Sequence, residues 1–381
     1  MRVSIACDVM VDLEGSVRPA VYLAEAIARK GLEVSIVSPY MSKNVEKYLK
    51  SAGINPRNLR LNLLSKKYGA SLLWLECWAK EAFLKMNSKK LNEQEITINF
   101  SQNFSIPSKV WYLQGPLSTA LDDISQEFSL PLKLVHTFLR KFIERADRKM
   151  MSSIANSQSL IIANSKFCAS MYQRWGINVH DVIYPPIDCK AFHPSTTSPS
   201  SDYFLTYFGK ETKYSVIKRV ADLGVKIKAF GSKMAVTRKD ILDHPNIVFL
   251  GRVNVKELVD LYTNALVTLF PFTHEPFGYV PLESMACGTP VLTYKRQGPG
   301  EYLINGRAGW LVNSDDDFVK IALKLWKNGY PQKIRMQCVK EASKLDKRFY
   351  MEKWSKILSR IVGYEDRDNE HKFLYPLRPI K

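Results

Sequence analysis

His274-Glu275-Pro276-Phe277-Gly278-Tyr279-Val280-Pro281-Leu282-Glu283-Ser284-Met285-Ala286-Cys287-Gly288-Thr289-Pro290-Val291 is the stretch from which the fold can be read. It follows an apolar run at Val267 to Phe270 and ends in another at Pro290 to Thr293, with a helical pattern over 279–287 between them. Two short apolar runs joined by a helix predict a strand-helix-strand unit of a buried parallel sheet. Glu275 precedes the helix that begins near Gly278 and Glu283 lies inside it, so a ligand lying across the helix N-terminus could touch both carboxylates. Exposed amides and the positive end of the helix dipole favour an anion there, which suits the diphosphate of a sugar nucleotide.

The same alternation extends outward in both directions. Tyr203 to Phe208, Val225 to Phe230 and Ile247 to Leu250 read as further strands, with helical patterns at 255–264 and 315–328. A first series begins at the N-terminus. Arg2 to Cys7 is a strand, Pro19 opens a helix that Gly31 stops, and Glu33 to Ser38 is a second strand. Runs at Ile96 to Phe100, Val110 to Leu113 and Leu160 to Ala163 continue it, with helical patterns around 71–86 and 132–152. The architecture repeats after Pro185-Pro186, so the sequence predicts an α/β protein with domains at 1–185 and 186–360. Phe349 to Ile361 reads as a terminal helix, with a basic, proline-containing tail behind it.

Composition narrows the function classes. The chain has 381 residues, 46% hydrophobic and 24% charged, as a globular protein would have. No run approaches the eighteen apolar residues of a membrane span, and the apolar start from Val3 to Val11 is broken by Asp8, so a cytosolic protein is expected. Six cysteines without a Cys-x-x-Cys pair argue against zinc and disulfides. The net charge of +18 favours polyanionic partners, but no nucleic-acid motif accompanies it, and none is expected to bind. Between the first strand and helix stands a single glycine, Gly15, where a dinucleotide site needs Gly-x-Gly-x-x-Gly, which excludes an NAD-dependent dehydrogenase.

Glu275 and Glu283, set in Glu-x-Phe-Gly and Glu-x-x-x-x-Gly-x-Pro-Val contexts and followed by Gly306-Arg307-Ala308-Gly309-Trp310-Leu311-Val312, resemble the signature of the retaining GT-B glycosyltransferases of family 4. Ile161-Ile162-Ala163-Asn164-Ser165 and Val182-Ile183-Tyr184-Pro185-Pro186-Ile187-Asp188 look like that family's interdomain passage, and Phe249-Leu250-Gly251-Arg252-Val253 like its nucleobase-facing loop. The resemblance implies two Rossmann-like domains facing across a cleft. The N-terminal one would take the acceptor and the C-terminal one the nucleotide sugar, with the C-terminal helix and the chain end, roughly 361–381, returning to pack on the first. It implies transfer of a hexose with retention, without metal or cofactor, the nucleotide sugar being a co-substrate. By the same resemblance Glu275 would meet the transferred sugar, Phe277 and Gly278 would present backbone amides, Glu283 would hold the ribose, and Arg252, Val253 and Tyr279 would complete the donor site.

The pattern departs from the family at two places. Gly209-Lys210-Glu211-Thr212-Lys213 stands where Gly-Arg and a later lysine usually hold the diphosphate. Lys210 would therefore supply charge without bidentate geometry, with Lys213, rather than Lys218, as the second cation. Gln114 takes the place of a first-domain histidine and can hydrogen-bond but not move a proton. Gly15 would let the first loop approach acceptor or phosphate; His274 reads as a loop histidine and Glu301 as a weaker donor-side position. The alternatives are a sugar-nucleotide 2-epimerase of related architecture and a noncatalytic basic nucleic-acid-binding protein.

The acceptor is expected to be a glycan or a lipid-linked molecule, with an anionic membrane surface as a further partner and a peripheral cytoplasmic location. Residues 65–90 and 130–152 carry apolar side chains at helical spacing among lysines and arginines. That both apolar faces simply pack on the first domain's sheet is the competing expectation. It weighs more for 130–152 than for 65–90, where Trp74 and Trp78 suit an interface.

Overall fold

The computed structural model describes residues 2–13, 15–67, 70–84, 95–232 and 238–362. By contacts the chain separates into two units: residues 2–118, 138–185 and 350–362 in the first, and residues 119–137 and 186–349 in the second.

Among the described residues the first unit is a parallel sheet of β1 (Arg2–Ala6), β2 (Glu33–Ser38), β3 (Asn55–Asn58), β4 (Ile96–Asn99), β5 (Ser108–Leu113), β6 (Gln158–Ala163) and β7 (Asp181–Val182). Their order is β3-β2-β1-β4-β5-β6-β7. The second holds β8 (Phe204–Phe208), β9 (Ile227–Gly231), β10 (Ile247–Gly251), β11 (Val267–Phe270), β12 (Val291–Tyr294) and β13 (Gly309–Val312), ordered β10-β9-β8-β11-β12-β13. Every pairing is parallel. Strands covered on both faces need apolar residues at nearly every position, and β2, β11 and β12 are buried almost without interruption. The fold class expected from the sequence is the one observed.

The helices between strands are α1 (Arg18–Arg29), α2 (Lys43–Ser51), α3 (Ala70–Leu84), α4 (Leu117–Ser125), α5 (Leu130–Ala155), α6 (Lys166–Gln173) and α7 (Tyr214–Asp222). There follow α8 (Lys239–Leu242), α9 (Val255–Asn264), α10 (Tyr279–Ala286), α11 (Asp315–Asn328), α12 (Lys333–Ser343) and α13 (Lys347–Val362). Local chemistry sets several of their starts. Asn254 and Glu257 close a capping box on α9, while Ser314 caps α11 and is followed by three aspartates that suit the dipole.

The terminal helix expected over Phe349 to Ile361 is α13. From Tyr350 onward it counts with the first unit, the return expected of the last helix, although the sequence draws the second domain to 360. The reason is packing. Trp354 is fully buried with its ring stacked 5.5 Å from Phe100 and tilted against Tyr112 at 6.0 Å, and the Tyr350 hydroxyl donates to the Pro19 carbonyl at 2.9 Å. Of the expected return of 361–381, residues 363–381 lie outside the described residues, as do residues 85–90 of the basic segment 65–90.

Of the two basic amphipathic segments, 130–152 is the less covered, while α3 in 65–90 is partly buried and exposes Leu72, Phe83 and Leu84. On α3, Leu73, Cys77 and Trp78 are buried, and the Trp78 indole donates to Asp147 at 3.0 Å. On α5 the buried residues, Asp147, Met150, Met151 and Ile154, all lie at the C-terminal end, and the first half stands exposed. Among the described residues no helix is long and apolar enough to cross a membrane.

Removing the Trp354 ring leaves a cavity between Phe100 and Tyr112. Trp354→Ala should destabilise the first unit by about 3–5 kcal/mol, read as a lower denaturant midpoint for a tryptophan-independent signal.

Candidate active site

In each sheet the chain reverses its direction of winding once, and the crevice at the carboxyl ends of the strands on either side of that reversal is where open α/β folds hold ligands. In the second unit those strands are β8 and β11. The loop after β8 carries Gly209 and Lys210; the loop after β11 carries Glu275. Topology thus brings together two sequence motifs some sixty-five positions apart.

The β11 loop turns into α10 at Gly278, whose φ of +86° suits only glycine, and an added Cβ would meet Pro299 at 2.7 Å. The turn aims the amides of Phe277 and Gly278 at Glu275 Oε1, at 3.3 and 3.0 Å. These are the amides expected to face the donor; here they are met by Glu275 itself. Burial raises the Glu275 carboxyl to about 7, and Glu211 adds to the shift, outweighing the two amides. Asp123 acts in the same direction.

A second loop locks this one. Gly298 donates its amide to the Glu275 carbonyl at 2.8 Å, and the Tyr302 hydroxyl donates to the carbonyls of Gly278 and Phe277 at 2.7 and 3.1 Å. A Cβ on Gly298 would lie 2.1 Å from the Pro276 carbonyl oxygen. Glu301 sits in the short turn Gly298–Glu301. Glu283 is buried on α10, where the Tyr262 hydroxyl donates to its Oε2 at 3.1 Å. Phe277 is buried and packs edge-on against Tyr279 at 5.5 Å.

After β8, Thr212 Oγ accepts from the Gly209 amide at 2.9 Å and donates to the Tyr207 carbonyl at 3.0 Å, drawing the loop tight. Lys210 Nζ stands 3.4 Å from Glu211 Oε1. Burial raises the Glu211 carboxyl, with Lys210 opposing the shift. The Lys213 ammonium lies 2.5 Å from Asp315 on α11 and 5.1 Å from the centre of the Tyr294 ring. Lys218 pairs with Asp222 along α7 at 2.8 Å. Arg252 is exposed and Val253 half-buried just before α9. In the first unit Gly15 has a φ of +60° with open space where a Cβ would be, and Gln114 donates to the Phe100 carbonyl at 2.9 Å.

Asp123 on α4 went unread in the sequence. It accepts from the His274 amide at 2.9 Å, from Thr273 Oγ at 2.5 Å, and pairs with His274 Nδ1 at 2.5 Å. Gln126 braces the same pair, donating to Asp123 and Thr273 at 3.1 Å each. His274 is therefore a loop histidine with a structural partner. In the first unit Asp8 lies between the ends of β1 and β4 and accepts from Ser101 Oγ and from the amides of Gln102 and Asn103. Burial raises its carboxyl to about 6. Among the described residues both side-chain polar atoms of Asn103 are buried without a hydrogen-bond partner.

Residues 238–345 match the family model described as Glycosyl transferases group 1. That group 1 segment contains Glu275, α10 and Glu283 together with the loop that locks them. Among curated proteins the chain is 40% identical over 84 residues to a probable sucrose-phosphate synthase of Thermosipho melanesiensis, covering 21% of this chain and 20% of that protein. It is 26% identical over 140 residues to the alpha-1,3/1,6-mannosyltransferase alg-2 of Neurospora crassa, covering 36% and 29%. The chain spans about a fifth of the length of the first of these relatives.

Among solved structures it resembles a sucrose-phosphate synthase from Thermosynechococcus elongatus, with a TM-score of 0.70 at 15% identity over 95% of this chain and 100% of that one. It also resembles Anabaena HepE in complex with UDP and glucose, with a TM-score of 0.66 at 16% identity over 94% and 100%. With the two parallel sheets, these likenesses establish the GT-B fold.

Two outcomes follow from this geometry. Asp123→Ala strips the Thr273 hydroxyl and His274 amide of a charged acceptor, and should cost about 1.5–3 kcal/mol, with faster amide exchange across 271–278 as the local readout. A carboxyl whose pKa rises on folding keeps its proton while the unfolded chain has released it. Its ionisation therefore opposes folding above the ordinary carboxyl range, with full effect beyond the folded value of about 7. Glu275→Gln should exceed wild-type stability by on the order of 2 kcal/mol at pH 8 and match it near pH 4, as urea unfolding at the two pH values would show.

Proposed function

We propose that the protein is a retaining glycosyltransferase of family 4 that moves a hexose from a nucleoside diphosphate sugar to a glycan or lipid-linked acceptor. The observation that carries this reading is the pair Glu275 and Glu283 flanking the N-terminus of α10, inside the segment that matches the group 1 family. In this reading Glu283, buried and hydrogen-bonded by Tyr262, accepts two ribose hydroxyls at once. The amides of Phe277 and Gly278, the dipole of α10 and the Lys210 ammonium supply positive potential for the diphosphate. In this reading the donor displaces the Glu275 carboxylate from those amides, and Glu275 turns to the hydroxyls of the transferred sugar.

Attack comes from the face the leaving group departs from. The acceptor hydroxyl bonds to the anomeric carbon as the bond to the diphosphate breaks, and the departing phosphate oxygen takes the hydroxyl proton. No metal is assigned to this step, because the ammonium and helix amides can stabilise the growing charge. Anabaena HepE, similar in fold, was solved in complex with UDP and glucose, which makes UDP-glucose the first donor to assay. Six free thiols suit a reducing cytoplasmic location.

The test is a donor screen by mass spectrometry, followed by single substitutions. Glu283→Ala should weaken donor binding and Glu275→Ala should depress turnover more, each by roughly ten- to a hundredfold. Lys210→Ala should weaken nucleoside diphosphate binding far more than monophosphate binding. Wild-type rates in both glutamate variants, with the proteins folded, would sink the assignment.

A further inference from the structure

The first half of α5 is an exposed amphipathic face. Leu130, Leu134, Phe138 and Phe142 recur at every fourth position and so form one stripe along the helix, with Val135 and Leu139 beside it. Phe138 is 87% exposed and Leu130 72%, values far outside the range of a packed helix. The stripe continues onto α3, where Phe83 stacks on Phe142 with the rings 5.8 Å apart and nearly parallel, and Leu84 is 74% exposed. Soluble surfaces rarely carry so large a contiguous apolar patch without a partner.

Charge decides which partner. Lys133, Arg140, Lys141, Arg145, Arg148 and Lys149 stand exposed along the same helix. Its two acids do not balance them: Glu144 lies beside Arg140 at 3.8 Å, and Asp147 is buried against Trp78 and Ser118. A second copy docked on this face would set these cations against their own kind. An anionic lipid surface satisfies both halves of the face, taking the aromatic and leucine side chains into the acyl boundary and the cations among phosphates.

We infer that the first half of α5, extended by Phe83 and Leu84 of α3, is the face by which the protein docks on an anionic membrane. Leu134 and Phe138 insert, and Lys133, Arg140 and Lys141 hold the phosphates. The inference is independent of the transferase reading, since vesicle binding needs no sugar donor.

The test is co-sedimentation of the full chain with vesicles of phosphatidylcholine alone and of phosphatidylcholine with phosphatidylglycerol, at low and at physiological salt, with oligomeric state read by light scattering. Binding is expected on the anionic vesicles, not on the neutral ones, and should weaken with salt. Leu134→Ser with Phe138→Ser should reduce it roughly tenfold or more. Lys133→Gln, Arg140→Gln and Lys141→Gln together should reduce it roughly a hundredfold. All five side chains are exposed, so unchanged melting temperatures are expected and control for folding. Failure to bind anionic vesicles at low salt would overturn the inference, as would binding that both sets of substitutions leave intact. A solution dimer that Phe138→Ser dissociates would assign the face to a second copy instead.

Discussion

Gly298 and Pro276 approach so closely that no side chain fits between their backbones, and the second unit's site depends on that contact. It lets the Gly298 amide reach the Glu275 carbonyl and brings Tyr302 over the carbonyls of Phe277 and Gly278. The loop that enters α10 is then held from its carbonyl side, which leaves its amides pointing the other way, toward the carboxylate. Two glycines and one tyrosine hydroxyl thus orient a set of donors that the helix alone would leave loosely defined.

The electrostatics of this site work against stability. Glu211 raises the proton affinity of Glu275 on top of what burial does, and the Asp123 charge acts in the same direction on both carboxyls. A protein selected for stability alone would place a neutral residue at one of these positions. Retaining charge that opposes folding is a mark of functional sites, and here the cost falls on a loop that Asp123 and Gly298 hold from two sides. The Asp123 carboxylate therefore has two effects of opposite sign, ordering the loop through hydrogen bonds and resisting the ionisation of Glu275.

Most strands were legible because a parallel strand buried on both faces must be a short apolar run. β3 was not, since Asn-Pro-Arg-Asn has the composition of a turn and pairs only at the sheet's edge, where proline is tolerated. β7, at two residues, is too short to leave a pattern. Glu275, Glu283 and the glycines around them are neighbours in sequence, so their motif could be read directly. Asp123 lies 151 positions from His274 and carried no local signal. The family resemblance nominated Lys213, and its pairing with Asp315, 102 positions on, carried no local signal. Periodicity likewise showed that α3 and α5 each have an apolar face but not which was covered, because cover comes from other parts of the chain.

The first unit is assembled from three separate stretches of chain, the last of them delivered by α13. The bond from Tyr350 to Pro19 spans 331 residues. During synthesis the first strands and helices emerge long before the helix that seals them, so Phe100 and Tyr112 keep an apolar surface uncovered while the whole second unit is being made. A chain stopped anywhere before Trp354 would carry that surface exposed, whatever the state of its active site. The residues of α13 thus determine whether the first unit becomes a finished domain or a target for chaperones.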